Sequence, residues 1–149
     1  MKFSLLLLLL VISCNLIAQG AKHQIIPGTK CSLVPPDDFA PATNFTGFQH
    51  PDLGASIMIS EMPAPYSEIL DGFSAASLLS QGMTLIEQTT AELQQTNAVI
   101  FYVSQQGHGT TYFKQILLFG DSLKTILVIG VYPEASKGIE PAIKTALLT

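Results

Sequence analysis

Histidines are the first candidates for chemistry in this sequence, because imidazole is a common metal ligand and general base. The three histidines are His23, His50 and His108. A metal site needs three or four converging ligands, and none of these residues has a second ligand at a suitable spacing. His50 precedes the turn sequence Pro51-Asp52, and His108 stands between two glycines. The sequence therefore predicts no metal site.

Catalytic carboxylates and nucleophiles also lack a recognisable pattern. Asp37 and Asp38 are adjacent, so in an extended segment they point to opposite sides, which does not suit two carboxylates sharing a substrate. There is no Gly-x-Ser-x-Gly motif for a nucleophilic serine and no glycine-rich phosphate or dinucleotide motif. We expect a non-enzymatic protein without a cofactor; an enzyme with an unrecognised, hydrolase-like site is the alternative.

The N-terminus has the three parts of a secretory signal peptide. Lys2 is followed by an apolar run at 5–12 and by small residues around Ala18-Gln19-Gly20. The run is shorter than the roughly 20 residues that span a bilayer. We expect residues 1–20 to be removed and the product to be extracytoplasmic, either periplasmic or secreted.

A second cleavage site would give a different product. Val11-Ile12-Ser13-Cys14 resembles a bacterial lipobox, in which residues 1–13 are removed and Cys14 is lipidated. Release after Gly20 is preferred, because residues 1–13 make a short lipoprotein leader. A lipid anchor on Cys14 is the one membrane contact that the sequence predicts.

The charged residues argue against nucleic-acid binding, and the cysteine that remains after the leader argues against a disulfide-stabilised fold. The seven basic residues are all lysines, against eleven acids, and the sequence has no arginine, the usual reader of phosphates and bases. Nucleic-acid binding is therefore not expected. Beyond the leader, Cys31 has no second cysteine with which to form a disulfide. Cys31 begins an apolar strand pattern and is interpreted as a buried packing residue.

Strand patterns predict most of the structure of residues 31–149, which we interpret as one domain. The predicted strands lie at 31–34, 45–50, 55–62, 84–93, 98–104, 111–119 and 123–132. The proline-rich segment 34–41 is predicted to be a loop. Residues 21–30 are predicted to be a short tether that precedes the domain.

The last four strands are joined by short loops and should form an antiparallel meander, since parallel neighbours need long crossovers. In the strand at 84–93, one side is predicted to carry Leu85, Thr89, Ala91 and Leu93. The strand at 123–132 is apolar on both sides, which predicts a central place in the sheet.

Two helices are predicted from apolar residues at helical spacing. The first spans 74–81 after a further turn of helix, with Ser74 as its N-cap and Gly82 after its end. The second spans 136–148 and has an apolar stripe consisting of Ile139, Ala142, Ile143, Ala146 and Leu147. This order of elements indicates an α+β fold, a twisted antiparallel sheet of six to seven strands flanked by helices.

The order of several motifs carries a family resemblance. The motifs are Leu33-Val34-Pro35-Pro36-Asp37-Asp38-Phe39, Phe45-Thr46-Gly47-Phe48, Gly54-Ala55-Ser56-Ile57, Glu61-Met62-Pro63-Ala64-Pro65 and the strand that ends in Leu118-Phe119-Gly120. Over about residues 30–148 the chain resembles PsbP-like domains. That group includes the PsbP subunits of photosystem II, a Ran-binding nuclear import factor and exported bacterial proteins such as DcrB-like lipoproteins. The resemblance implies a helix–sheet–helix sandwich that serves as a binding or accessory module, and it supplies no functional residue.

We therefore expect an exported binding or accessory protein with an unknown protein or small-molecule partner; a structural subunit of an envelope assembly is a further alternative. A partner is predicted to bind the segment 61–73. Pro63-Ala64-Pro65 should hold this segment as a stiff surface excursion, and Met62, Tyr66 and Phe73 are of types enriched in interfaces. The alternative is that the segment only covers the end of the core.

Overall fold

The computed structural model describes residues 22–94 and 96–149. The predicted leader at 1–20, with both cleavage sites and Cys14, lies outside the described residues. The first described elements are two short strands, β1 Gln24–Ile25 and β2 Ser32–Leu33, which pair as a hairpin. We call this part of the chain the N-terminal hairpin.

A seven-stranded antiparallel sheet forms the centre of the fold. Its strands are β3 Ala40–Pro41, β4 Gly47–His50, β5 Ala55–Met62, β6 Met83–Leu93, β7 Thr96–Gly107, β8 Thr110–Gly120 and β9 Thr125–Pro133. Their order across the sheet is β3-β4-β5-β9-β8-β7-β6. Strands β6 to β9 form the predicted meander, and β9 occupies the predicted central place because both of its faces pack against apolar layers.

Helices cover both faces of the sheet, which confirms the predicted α+β class. Helices α1 Tyr66–Asp71 and α2 Ala75–Ser80 lie on one face, and α3 Glu140–Leu147 lies on the other. The predicted cap of α2 is present, since the Ser77 N–H donates to Ser74 Oγ over 3.1 Å. Within the described residues, no helix is long and apolar enough to cross a membrane.

Two apolar layers result from this arrangement. The first layer lies under α3 and the N-terminal hairpin; its largest members include Ile26, Phe48, Ile57, Ile100, Leu117, Tyr132 and Ile143. The second layer lies under α1 and α2 and is built around Leu78, Phe101, Val103, Ile116 and Leu118. Burial of such side chains stabilises a fold by roughly 1.5–3 kcal/mol each.

The closing helix is shorter than predicted. Residues 136–148 were expected to be α-helical, but Glu134–Ile139 is a 3-10 helix and α3 begins at Glu140. Pro141 explains the boundary, because proline lacks the N–H that a preceding helical turn would need and is well tolerated in the first turn. The apolar stripe is nevertheless present, with Ile143, Ala146 and Leu147 buried.

In strand β6, Leu85 lies on the opposite face of the sheet from the one predicted. Leu85 was expected to share one side with Ala91 and Leu93, but the pairing with β7 shifts between Leu85 and Glu87. This irregularity gives one strand an extra residue and reverses the alternation beyond it. Leu85 therefore packs on the second layer, Ala91 and Leu93 pack on the first, and Ile86 is exposed.

The predicted tether at 21–30 also needs correction. Its described part, from residue 22, contributes β1 and the turn that follows, and Ile26 is only 1% exposed. The proline-rich segment 34–41 ends in β3, a two-residue edge strand where Pro41 needs no ladder N–H. Both segments are therefore part of the packed domain.

Candidate ligand-binding cavity

A cavity of about 280 Å³ lies between the N-terminal hairpin and one end of the sheet. The sheet contributes residues from the end of β5, the β6–β7 turn, the end of β8 and the start of β9. The residues after α3 complete the wall with Thr149. The cavity thus brings together segments from both ends and the middle of the described chain.

The floor of the cavity is apolar because adjacent strands present matching residues on one face. Ile59 of β5 pairs with Val128 of β9, and Ile126 of β9 pairs with Phe119 of β8. Ile126 and Val128 are two positions apart, so both point to the same side of the sheet. These four side chains line the cavity together with Leu93 and Leu147.

The N-terminal hairpin forms the opposite wall. Ile26 and Leu33, 1% and 4% exposed, point toward the sheet and line the cavity. The turn between them is held locally, since the Cys31 N–H donates to Thr29 Oγ1 over 3.0 Å and the Ile26 N–H donates to the Cys31 carbonyl over 3.0 Å. Gly28 has φ +84°, a conformation that glycine adopts without strain.

Polar residues surround the opening. Lys30, Ser32, Gln94 and Thr96 are exposed and line the cavity. Thr149 joins them and fixes the start of the following loop, because its Oγ1 accepts from the Val34 N–H over 2.9 Å. The site therefore combines an apolar interior with a hydrogen-bonding rim, the usual composition of a small-molecule site.

Glu61 fastens the N-terminal hairpin to the sheet. Its Oε1 accepts from the Lys30 backbone N–H over 3.1 Å, and its Oε2 lies 3.6 Å from Lys124 Nζ. The Lys30 N–H, and secondarily the charge of Lys124, hold the pKa of this carboxyl below its ordinary value of 4.5. The carboxylate is thus ionised at neutral pH.

Cys31 is half-buried beside the same carboxylate, with its Sγ 3.6 Å from Glu61 Oε1. Burial, and then the negative charge of Glu61, raise the pKa of the thiol. Because the thiolate is the nucleophilic form, this cysteine is poorly placed for covalent chemistry. It packs against the first apolar layer, although less deeply than the sequence pattern suggested.

Replacement of Glu61 by glutamine tests whether its carboxylate holds the N-terminal hairpin to the sheet. The native carboxyl has a lowered pKa, so its stabilisation is present above the ordinary pKa of 4.5 and is lost as the pH falls through the folded-state value. We expect Glu61→Gln to lower the Tm by about 1–3 °C at neutral pH and to match the wild type in acid. Thermal unfolding across a pH series measures this. Glu68→Gln, an exposed change on α1, is the control, and a pH-independent difference for Glu61→Gln would contradict the assignment.

The residues predicted to bind a partner lie on the other face of the sheet. Met62, Tyr66 and Phe73 are half-buried against the second apolar layer. The Phe73 ring lies 5.1 Å from the Phe101 ring, centroid to centroid, and the Tyr66 N–H donates to the Asp121 carbonyl over 2.8 Å. These contacts account for the apolar character of the segment, and its partner role stays a prediction.

The histidines and paired aspartates do not come together. His23 Nδ1 lies 3.3 Å from Ser32 Oγ, the His50 ring packs edge-on against Phe39, and His108 occupies the β7–β8 turn with φ 51°. Asp37 and Asp38 are exposed in a loop. Among residues 22–94 and 96–149, no three His, Cys, Asp or Glu side chains are grouped so as to hold a metal ion.

A smaller cavity of about 100 Å³ lies near the start of α3, at the opposite end of the sheet from the N-terminal hairpin. Tyr102, Lys114, Tyr132 and Glu140 are among its lining residues. Burial lowers the pKa of Lys114, whose Nζ donates to Gln105 Oε1 over 2.6 Å. The small volume and this internal hydrogen bond leave the larger cavity as the better candidate site.

Comparison with known proteins identifies the fold and no family. No protein-family model matches the sequence, and no curated protein matches it. The crystal structure of PA94, a protein of unknown function from Pseudomonas aeruginosa, is similar with a TM-score of 0.56 and 18% identity, over 86% of this chain and 96% of that one. A structure from Bacteroides thetaiotaomicron has a TM-score of 0.47 and 16% identity, over 76% of this chain and 42% of that one.

The similarity to PA94 shows a shared architecture, because structures with identity this low can differ in every functional residue. Sequence reasoning did not find the cavity, since its lining comes from segments far apart in the chain. The one local signal was the apolar pair Ile25-Ile26 within the predicted tether, of which Ile26 is buried and Ile25 is 78% exposed.

Proposed function

We propose that this chain is an exported, non-enzymatic binding protein of the PsbP-like group that holds a small apolar molecule. The observation that carries the proposal is the cavity of about 280 Å³ between the N-terminal hairpin and the sheet. The signal-peptide pattern at 1–20 supports export, and the motif order at 30–148 supports the group.

The chemistry of the lining favours binding over catalysis. Seven of the fourteen described lining residues are aliphatic, and an eighth, Phe119, is aromatic. The thiol of Cys31 has a raised pKa, and Glu61 is engaged by Lys124 and the hairpin backbone. Cys31 Sγ lies 3.6 Å from Glu61 Oε1, but the raised pKa of the thiol and the lowered pKa of the carboxyl both disfavour the proton transfer that would make the nucleophilic thiolate.

The size of the cavity limits the ligand. Its volume equals that of about nine liquid water molecules, and lies at the lower end of small-molecule sites. Because bonded atoms occupy less volume each than separate water molecules, a ligand buried there has an apolar body on the order of ten to twenty non-hydrogen atoms. Burial of that body at about 25 cal/mol per Å² supplies the affinity, and a largely preformed wall limits the entropy lost on binding.

A cavity-filling substitution tests the proposal. The uncharged fluorescent probe N-phenyl-1-naphthylamine is expected to bind the wild type, and Ile126→Trp should weaken that binding at least about tenfold by filling the floor. Leu123→Trp is the matched control, because Leu123 is 78% exposed and outside the lining.

A second variant keeps the proposal testable if Ile126→Trp does not fold. Thr96→Trp places the same side chain at the exposed rim and should also reduce probe binding while leaving the Tm unchanged. Equal binding by the wild type, Ile126→Trp and Thr96→Trp would reject the cavity as the site. Absence of binding to the folded wild type would reject the proposed function.

A further inference from the structure

We propose that the cavity binds a medium-chain aliphatic carboxylate, with the alkyl chain inside and the carboxylate at Lys30. This inference rests on the proposed function, because it names the ligand class of the same cavity. It depends on the charge of the rim, the hydrogen-bond donors around it and the shape of the apolar interior.

Lys30 supplies a positive charge at the rim of a protein whose net charge is −4. Among the described residues that line the cavity, Lys30 is the charged one and none is Asp or Glu. The nearest carboxylate in contact with the hairpin, Glu61, is paired with Lys124 at 3.6 Å. Asp121 directs its Oδ1 to the backbone N–H groups of Leu123 and Lys124. These acids are occupied, so Lys30 is available to an anion.

Hydrogen-bond donors reinforce this preference. Thr96 places a hydroxyl group on the rim and Gln94 adds an amide, whereas the Ser32 hydroxyl lies 3.3 Å from His23 Nδ1. Such groups complement an anionic oxygen, since charge-assisted hydrogen bonds are about twice as strong as neutral ones. Among the described lining residues, a cationic head group would find no Asp or Glu side chain to pair with, and Lys30 would repel it.

The interior selects the body of the ligand. Ile26, Leu33, Ile59, Val128 and Leu147 present branched aliphatic surface without a polar side-chain atom. Below the rim, the body of a ligand therefore meets these apolar side chains and cannot place further polar groups without losing their hydration. One polar head on an unbranched chain meets both requirements, and decanoate is the probe that we specify.

Displacement of N-phenyl-1-naphthylamine by three ligands with the same chain length tests the head group. Decanoate is expected to bind the wild type about three- to tenfold more tightly than decanol, and decylamine more weakly than decanol. Raising the salt concentration should reduce the advantage of decanoate, because the contact is at the solvent-exposed rim.

Substitutions at Lys30 test whether this residue causes the preference for decanoate over decanol. Lys30→Gln should reduce the affinity for decanoate to that for decanol, whereas Lys30→Arg should retain the preference for decanoate. Lys22→Gln, an exposed lysine outside the cavity lining, is the matched control and should behave as the wild type. Lys30 is itself exposed, so the variants are expected to fold normally.

The outcomes separate this inference from the proposed function. If the probe and decanol bind in the cavity but decanoate has no advantage, or if Lys30→Gln retains it, the carboxylate assignment is wrong and the binding function stands. If a decanoate preference survives in Ile126→Trp, the carboxylate binds elsewhere and the inference fails. If neither the probe nor any of the three ligands binds the wild type, both proposals fail.

Discussion

Replacing Gly130 with alanine is expected to lower the free energy of unfolding by about 3 kcal/mol. Gly130 lies in the middle of the central strand β9 and faces α3. An added Cβ would lie well inside van der Waals contact with Ile143 Cγ2, and Ile143 is fully buried. Since the interior is close-packed, the helix would have to move away from the sheet. Urea unfolding of the two proteins measures the difference.

Gly138→Ala is the control for this substitution. No atom lies within 4 Å of a Cβ built at Gly138, so we expect a change of about 0.5 kcal/mol or less. The double variant Gly130→Ala with Ile143→Ala should be less destabilised than the sum of the single variants, because the second change removes the atom that clashes. Additive effects would show that Gly130 is not what brings α3 close to the sheet.

Local alternation was enough to predict much of the sheet. The strand at 55–62 is Ala55–Met62 in the structure, because an apolar run that ends in Pro63 has an unambiguous limit. Strand β9 was predicted to be central because both of its faces are apolar, and both apolar layers do contact it. The Ser74 cap was predicted because its hydroxyl is suited to accept from the first turn of a helix.

Features that depend on a neighbouring strand were not predictable in this way. The extra residue in β6 changes the face of Leu85, but it is defined by the register with β7 and leaves no periodic signal. Strands β1 and β2 have two residues each, too few for an alternation to be detected. Their burial against the sheet is a tertiary effect.

The candidate site was missed for the same reason. Lys30, Ser32 and Thr96 carry no motif, and they come together only because the hairpin folds over the end of the sheet. Phe73 was predicted to bind a partner because it is an apolar residue near the prolines at 63 and 65, and its contact with Phe101 explains why an apolar side chain stands there. The aromatic side chain indicated that Phe73 would be buried, but the sequence did not show whether a partner or the protein's own second apolar layer would cover it.

The N-terminal hairpin therefore has two roles that can be measured together. Ile26 belongs to the first apolar layer and also lines the cavity, so the packing that holds the hairpin in place is the packing that creates the site. Glu61 and Thr149 add hydrogen bonds at the two ends of this wall. A weakened hairpin should affect both stability and ligand binding.

We expect Ile26→Ala to destabilise the protein by about 3 kcal/mol, since truncating a buried isoleucine loses both its transfer free energy and its packing. For a domain of this size that corresponds to a decrease in Tm of roughly 6–12 °C. The adjacent Ile25→Ala is the control, because Ile25 is 78% exposed and should change the Tm little. N-phenyl-1-naphthylamine should bind Ile26→Ala more weakly than Ile25→Ala at a temperature where both are folded, because the wall that encloses it is less often closed. Equal melting of the two variants would mean that the segment before Cys31 is a tether after all, and that the cavity has no wall on this side.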